Sequence, residues 1–198
     1  IAPLATDMYL AALPAVAENL NTTSTNASLT LSGFMVGMAL GQLVVGPLSD
    51  KTGRRKPLLI GAVICFIATV ACGFAPNIEL LIFARFMMGF TGSIGAVLAR
   101  SIVADTTEGL ATAKLMGVMM MINGFAPVLA PLFGGWVLSW GNWRDIFHVL
   151  GVTTAIMMLG VIFVIKETLP VEERYQGTAL SVYSELPKVF KIRRYLGF

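Results

Sequence analysis

Asp7 and Arg85 are charged residues set deep inside long apolar runs. Charge in hydrocarbon is expensive, so an ionisable side chain there points to a proton relay or to an ion or substrate path. Counting from the loop end of each run at ~1.5 Å per residue puts Asp7 roughly 18 Å deep and Arg85 roughly 11 Å deep. An arginine side chain spans much of that difference. The two residues therefore read either as a proton-carrying pair or as a static ion pair that fixes helix packing.

A second cluster of chemistry-bearing residues is the stretch Gly46-Pro-Leu-Ser-Asp-Lys-Thr-Gly-Arg-Arg-Lys-Pro-Leu-Leu59, which holds four of the chain's fourteen basic residues. Gly46 lets a neighbouring helix approach closely. Asp50 closes the preceding apolar run. Gly53 tolerates positive φ and suits a tight turn after a helix. Pro57 fits the first turn of a following helix. The stretch reads as helix, cationic turn, helix. Arg54 lies four residues after Asp50, and Asp105 lies at a depth that both can share.

The elements that position these residues follow from composition. The chain has 198 residues, 56% hydrophobic and 13% charged, with a mean hydropathy of +0.79. Soluble domains carry about 25% charge, so a bilayer is the better solvent for this chain. Six apolar runs, each near the ~20 residues a spanning helix needs, fall at 1–18, 29–49, 57–76, 78–103, 112–138 and 143–166. They are continuous rather than alternating, which excludes a closed barrel. Twelve basic residues collect on one side of the membrane and Arg144 alone on the other. The rich side, with loop 50–57 and the tail 167–198, is expected to be cytoplasmic. Residues 1–166 read as one membrane bundle whose first helix is truncated at its start. Residues 167–198 read as a cytoplasmic linker, basic and amphipathic towards its end.

Several function classes find no support. There is no phosphate-binding loop, zinc-ligand cluster or nucleophile–base pattern, and no basic face suited to nucleic acid. The lone His148 reads as structural. Cys65 and Cys72 lie seven apart in one run, too far to bond within a straight helix. The protein is expected to be no enzyme and to need no metal or cofactor.

The stretch 46–59 resembles the signature loop of the major facilitator superfamily, matching at Gly46, Leu48, Ser49, Asp50, Lys51, Gly53, Arg54, Arg55 and Lys56. Leu81-x-x-x-Arg85-x-x-x-Gly89 resembles the helix-4 motif of the drug/proton antiporters, with Met88 where that motif usually has glutamine. Gly124-Phe-Ala-Pro127-Val-Leu-Ala-Pro131-Leu-Phe-Gly134-Gly135 resembles their helix-5 motif, with Pro127 in place of a small residue. Such glycines and prolines permit close packing and a bent helix. Thr6-Asp7-Met-Tyr9-Leu-Ala-Ala-Leu-Pro14 and Lys166-Glu167-Thr-Leu-Pro170 are similar to the ends of the six-helix half in the bicyclomycin/chloramphenicol-resistance branch.

The resemblance implies an all-α bundle of six transmembrane helices. It would be the amino-terminal half of a twelve-helix fold, built as a 3+3 inverted repeat. Proton-coupled export of a small amphipathic drug is then expected, driven by the proton gradient across the cytoplasmic membrane. The partners implied are the substrate, protons, the lipid bilayer and a carboxy-terminal half. The proton and substrate path is expected at Asp7, Tyr9, Arg85 and Asn123. Gly46, Asp50, Gly53, Arg54, Arg55 and Asp105 are expected to gate the inner side, and Gly124, Pro127, Pro131, Gly134 and Gly135 to form the antiporter motif. Two rivals stand beside this reading: a facilitator that moves a metabolite such as a sugar or organic anion, and a six-helix membrane protein that does not transport.

Overall fold

The structure is a computed structural model that describes residues 2–170 together with 172, 174 and 175. Its elements are α1 (Ala2–Leu10), α2 (Leu13–Asn19), α3 (Ser24–Thr52), α4 (Arg55–Gly73), α5 (Ile78–Thr106), α6 (Gly109–Trp140) and α7 (Trp143–Val164). The helices α3 to α7 are each long and apolar enough to cross a membrane. They coincide with the last five apolar runs, with ends shifted by up to five residues. The architecture is the all-α six-helix bundle expected from the sequence. The amphipathic stretch near the end of the tail lies outside the described residues.

The first run departs from expectation. It is not one helix over 1–18 but two, interrupted after Leu10. Pro14 sits in the first turn of α2. Having no N–H, it cannot donate to the carbonyl four residues earlier, and its ring disfavours a continuous helix. The chain turns there through a bond from the Ala12 amide to the Tyr9 carbonyl, 2.9 Å. The two prolines of α6, where a bend was expected, lie inside one uninterrupted helix.

Three helices start at the end of the bundle opposite the signature loop, and each carries a local cap. The Thr23 side chain accepts from the Asn26 amide, and that of Asn77 from the Leu80 amide. At α7, Asn142 and Asp145 form a reciprocal capping box. Each cap satisfies amides that the first helical turn leaves without partners.

α3 and α5 pack backbone to backbone. A Cβ on Gly37 or Gly41 would run into the carbonyls of Phe86 and Phe90, and one on Gly89 into that of Phe34. Glycines at i and i+4 on α3 thus make the close crossing possible, as small residues do where lipid supplies no hydrophobic drive between helices. The main core gathers Met8, Tyr9, Phe34, Cys72, Leu81, Met88, Trp143, Phe147 and Leu150. A smaller one, Val45, Leu58, Ile94 and Leu98, lies towards the signature loop. Cys65 and Cys72 are free thiols, both buried.

Candidate functional site

Arg85 is fully buried at the centre of the bundle. Its guanidinium carbon lies 4.3 Å from the ring centre of Tyr9, 4.7 Å from Phe34 and 5.7 Å from Phe147. Rings from α1, α3 and α7 thus enclose a cation carried by α5, and their quadrupoles supply the attraction that water would otherwise give. Nη1 donates to the Ala5 carbonyl across 2.8 Å. Nε and Nη2 have no protein partner among the described residues. The Tyr9 hydroxyl bonds the Thr30 hydroxyl at 2.9 Å, and the threonine hydroxyl donates to the Ala27 carbonyl at 2.5 Å. Tyr9 therefore joins α1, just before its break, to α3 and to the arginine.

The expected Asp7–Arg85 ion pair does not form. Asp7 is half-buried and makes no hydrogen bond or ion pair among the described residues. Residues 5 and 9 face α5, being one turn apart on α1, whereas Asp7 lies two residues from each and projects from another side. The angle around the helix, which spacing between separate helices does not give, decided the partner.

Asn123 is exposed, and its amide donates to the Met119 carbonyl at 2.8 Å. It lines an open cleft of about 260 Å³ with Pro3, Gly92, Ala96, Arg100 and Met157. Arg100, read from the sequence only as one more basic residue near a loop, thus shares a cleft with Asn123.

At the signature loop, Arg54 is buried, with its side chain 10% exposed. Nη1 bonds the Asp50 carboxylate and the Ser49 hydroxyl at 2.8 Å, and Nε bonds Asp105 Oδ2 at 3.0 Å. One guanidinium therefore links the end of α3 to the end of α5. Burial disfavours its charged form, but the bonds to Asp105 and Asp50 outweigh that and raise its pKa above the usual arginine value. Gly53 has φ +90°, the positive value expected of it. Arg55 points elsewhere, its guanidinium reaching the Ile162 carbonyl at 3.5 Å.

The glycines divide. A Cβ on Gly134 would press on the Met8 backbone, so α6 meets α1 there at close range. A Cβ on Gly46, Gly124 or Gly135 would meet nothing within 4 Å, so the close approach expected at those three is not made within this bundle. Pro127 and Pro131 are exposed on the same helix as the last two. Nearly the whole of α6 is open, with only Ala130, Gly134 and Val137 buried.

Two features escaped the sequence reading. The four-residue spacing of Gly33, Gly37 and Gly41 carries the α3–α5 crossing and was visible as a small-residue stripe. Arg144 is the other. It stacks on Trp143 with its guanidinium carbon 4.2 Å from the ring centre, donates to Asn19 Oδ1 at 2.6 Å and to the Ala75 carbonyl at 3.0 Å. It fastens the ends of α2, α4 and α7. No sequence signal linked it to those acceptors. His148 is a surface residue there, with Nδ1 3.2 Å from Asp145 Oδ1.

Comparison with known proteins fits this geometry. A family model for the Major Facilitator Superfamily matches residues 1–196. The uncharacterized MFS-type transporter YdgK of Bacillus subtilis (strain 168) is 38% identical over 200 residues, covering 100% of this chain and 50% of that protein. The multidrug resistance protein MdtL of Escherichia coli O81 (strain ED1a) is 30% identical over 168 residues, covering 85% of this chain and 43% of that one. The crystal structure of the human organic anion transporter MFSD10 (TETRAN) matches with a TM-score of 0.62 at 20% identity, over 83% of this chain and 39% of that one, a likeness of fold. The chain spans about half the length of the curated relatives it matches. A six-helix bundle whose signature loop is tied by one buried arginine, and whose matched family model runs almost end to end, belongs to the major facilitator superfamily.

Proposed function

We propose that this chain is the amino-terminal half of a proton-coupled exporter of small amphipathic compounds, working by alternating access in the cytoplasmic membrane. Loop 50–57 and the tail 167–198 face the cytoplasm, and a second bundle covers the open side of α6. The observation that carries the reading is the buried Arg85 guanidinium, held by three rings and one carbonyl with no carboxylate beside it among the described residues. A charge kept in the membrane without a counter-ion is hard to explain as packing alone. The likeness to a multidrug resistance protein adds weight.

In this reading Asp7 is the proton carrier and Arg85 a separate fixed positive charge that makes no contact with it. A cation entering the cleft beside Asn123 favours ionised Asp7 and drives its proton out, so one negative site serves proton and substrate in turn. The Arg54 cluster closes the cytoplasmic end. The test is transport by the full-length protein in proteoliposomes under an imposed pH gradient, screened over amphipathic cations. Gradient-driven export that Asp7→Asn abolishes is expected. Movement of the same compounds without any response to the gradient overturns the coupling, and selective uptake of a sugar or organic anion would favour the metabolite reading.

A further inference from the structure

The helix α4 starts with no side-chain cap from its own neighbourhood: Arg54 at its N-cap position makes no such bond. The amides at this start are instead taken by a residue more than a hundred positions away. Glu167 Oε1 accepts from the Arg54 amide at 2.8 Å, and Oε2 from the Arg55 amide at 3.4 Å. Oε1 also accepts from the Leu169 amide at 3.2 Å, which folds the segment back on itself. A carboxylate is well suited to this place, since the first amides of a helix carry partial positive charge.

The rest of the segment is fastened to the same loop. The Thr168 hydroxyl donates to Asp105 Oδ2 at 3.4 Å, the oxygen that also receives Arg54 Nε. The Tyr175 amide donates to the Asp50 carbonyl at 2.9 Å. Arg174 Nη2 lies 3.6 Å from Glu167 Oε2 and donates to the Leu169 carbonyl at 3.3 Å. Leu169 is buried. Gly53 faces this strap directly: a Cβ there would strike the Glu167 carboxylate and come within 2.9 Å of Arg174 Nη2. The glycine is therefore required twice, by its positive φ and by the carboxylate beside it.

We propose that Glu167 is a positioning residue of the gate: the segment after α7 docks as a strap on the signature loop, caps α4 from a distance and so sets Arg54 between Asp50 and Asp105. The consequence is mechanical. The chain that leaves the bundle is part of its gate, so a pull on that chain loosens the start of α4 and the arginine held there. Only the transport readout below rests on the proposed export activity.

The test uses the full-length protein in detergent or nanodiscs, comparing wild type with Glu167→Ala and Glu167→Gln by hydrogen–deuterium exchange of the peptide spanning residues 53–60. Loss of the cap in Glu167→Ala is expected to speed exchange there about tenfold, with the amides of α5 unchanged. Glu167→Gln, which keeps an acceptor but not the charge, falls between. If the alanine variant does not fold, the glutamine variant carries the comparison alone. In transport, the alanine variant is expected to lose about tenfold in maximal rate with KM within about twofold, because the gate and not the substrate site is disturbed. Unchanged exchange at residues 53–60 overturns the strap. Raised exchange with a wild-type maximal rate overturns its link to the gate. Absence of gradient-driven export by the wild type would remove the transport reading and leave the exchange result to decide the strap.

Discussion

Arg85 is bonded to the backbone of Ala5 and not to the side chain of Asp7: its Nη1 donates to the Ala5 carbonyl at 2.8 Å. A carbonyl supplies a dipole where a carboxylate would supply a charge. The arginine therefore keeps its net positive charge in the middle of the bundle, softened only by the rings of Tyr9, Phe34 and Phe147. Removing it strands no carboxylate. Arg85→Met is thus expected to fold with a melting temperature equal to or above wild type, because an uncompensated buried cation is lost. Arg85→Lys keeps the charge but loses the planar stacking, and is expected to lower transport by about tenfold. Thermal unfolding and efflux of the full-length variants check both; a large drop in melting temperature for Arg85→Met would show that the guanidinium holds the fold.

Asp7 and Arg85 do not touch, so their substitutions are expected to act independently on stability. In a double-mutant cycle of Asp7→Asn and Arg85→Met, the coupling should stay within about 0.5 kcal/mol. A coupling well above that would mean the two side chains meet in a state other than this one. Proton release on drug binding to the purified full-length protein is the functional counterpart: Asp7→Asn is expected to eliminate it.

The two carboxylates on Arg54 are not equal. The Asp50 side chain is 49% exposed and that of Asp105 is 19% exposed. Asp105→Asn is expected to lower stability by about 2 kcal/mol, as loss of a shielded hydrogen bond to a charged group does. Asp50→Asn should lower it by under about 1 kcal/mol, since water screens that pair, yet should still impair transport. Chemical or thermal unfolding separates the two; equal losses would contradict the burial argument.

Glu167 carries a pH signature. Burial works against its ionisation, but the amides of Arg54, Leu169 and Arg55 and the Arg174 guanidinium outweigh that and hold its pKa below the usual 4.5. A carboxyl lowered in the folded state adds stability that is fully present above its unfolded pKa and lost as pH falls through the folded one. Exchange at residues 53–60 is therefore expected to show no cap loss between about pH 5 and 8 and to rise only below about 4.5. A transition near neutrality would assign the cap to another group.

The glycines of α6 give a contrast within one motif. Gly134→Val places atoms against the Met8 backbone, which cannot yield as a side-chain tip can, and is expected to cost about 1–3 kcal/mol or more. Gly135→Ala meets nothing in this bundle and should change the bundle's stability by less than about 0.5 kcal/mol. Any transport defect of Gly135→Ala in the full-length protein then reports contact with the second half.

Hydropathy and charge placement were enough to determine the five long helices α3 to α7, their order and the cationic turn between α3 and α4, because a bilayer rewards unbroken apolar runs and tolerates charge only at their ends. The positive φ at Gly53 and the pairing of Asp50 with Arg54 were also legible, since turn chemistry and i,i+4 spacing are local properties, whereas Asp105, 51 residues from Arg54, was matched to them by depth alone. What surrounds Arg85 was not. Sequence distance gives depth along a helix but not the facing between helices, and a different rotation of α1 would exchange Asp7 for Ala5 and Tyr9. The break after Leu10 had a local cause in Pro14, yet Pro47, Pro127 and Pro131 lie in helices that continue, so proline alone does not locate an interruption. Glu167 capping α4 and Arg144 joining Asn19 to Ala75 were decided by tertiary structure alone, because both bring together groups that no periodicity connects.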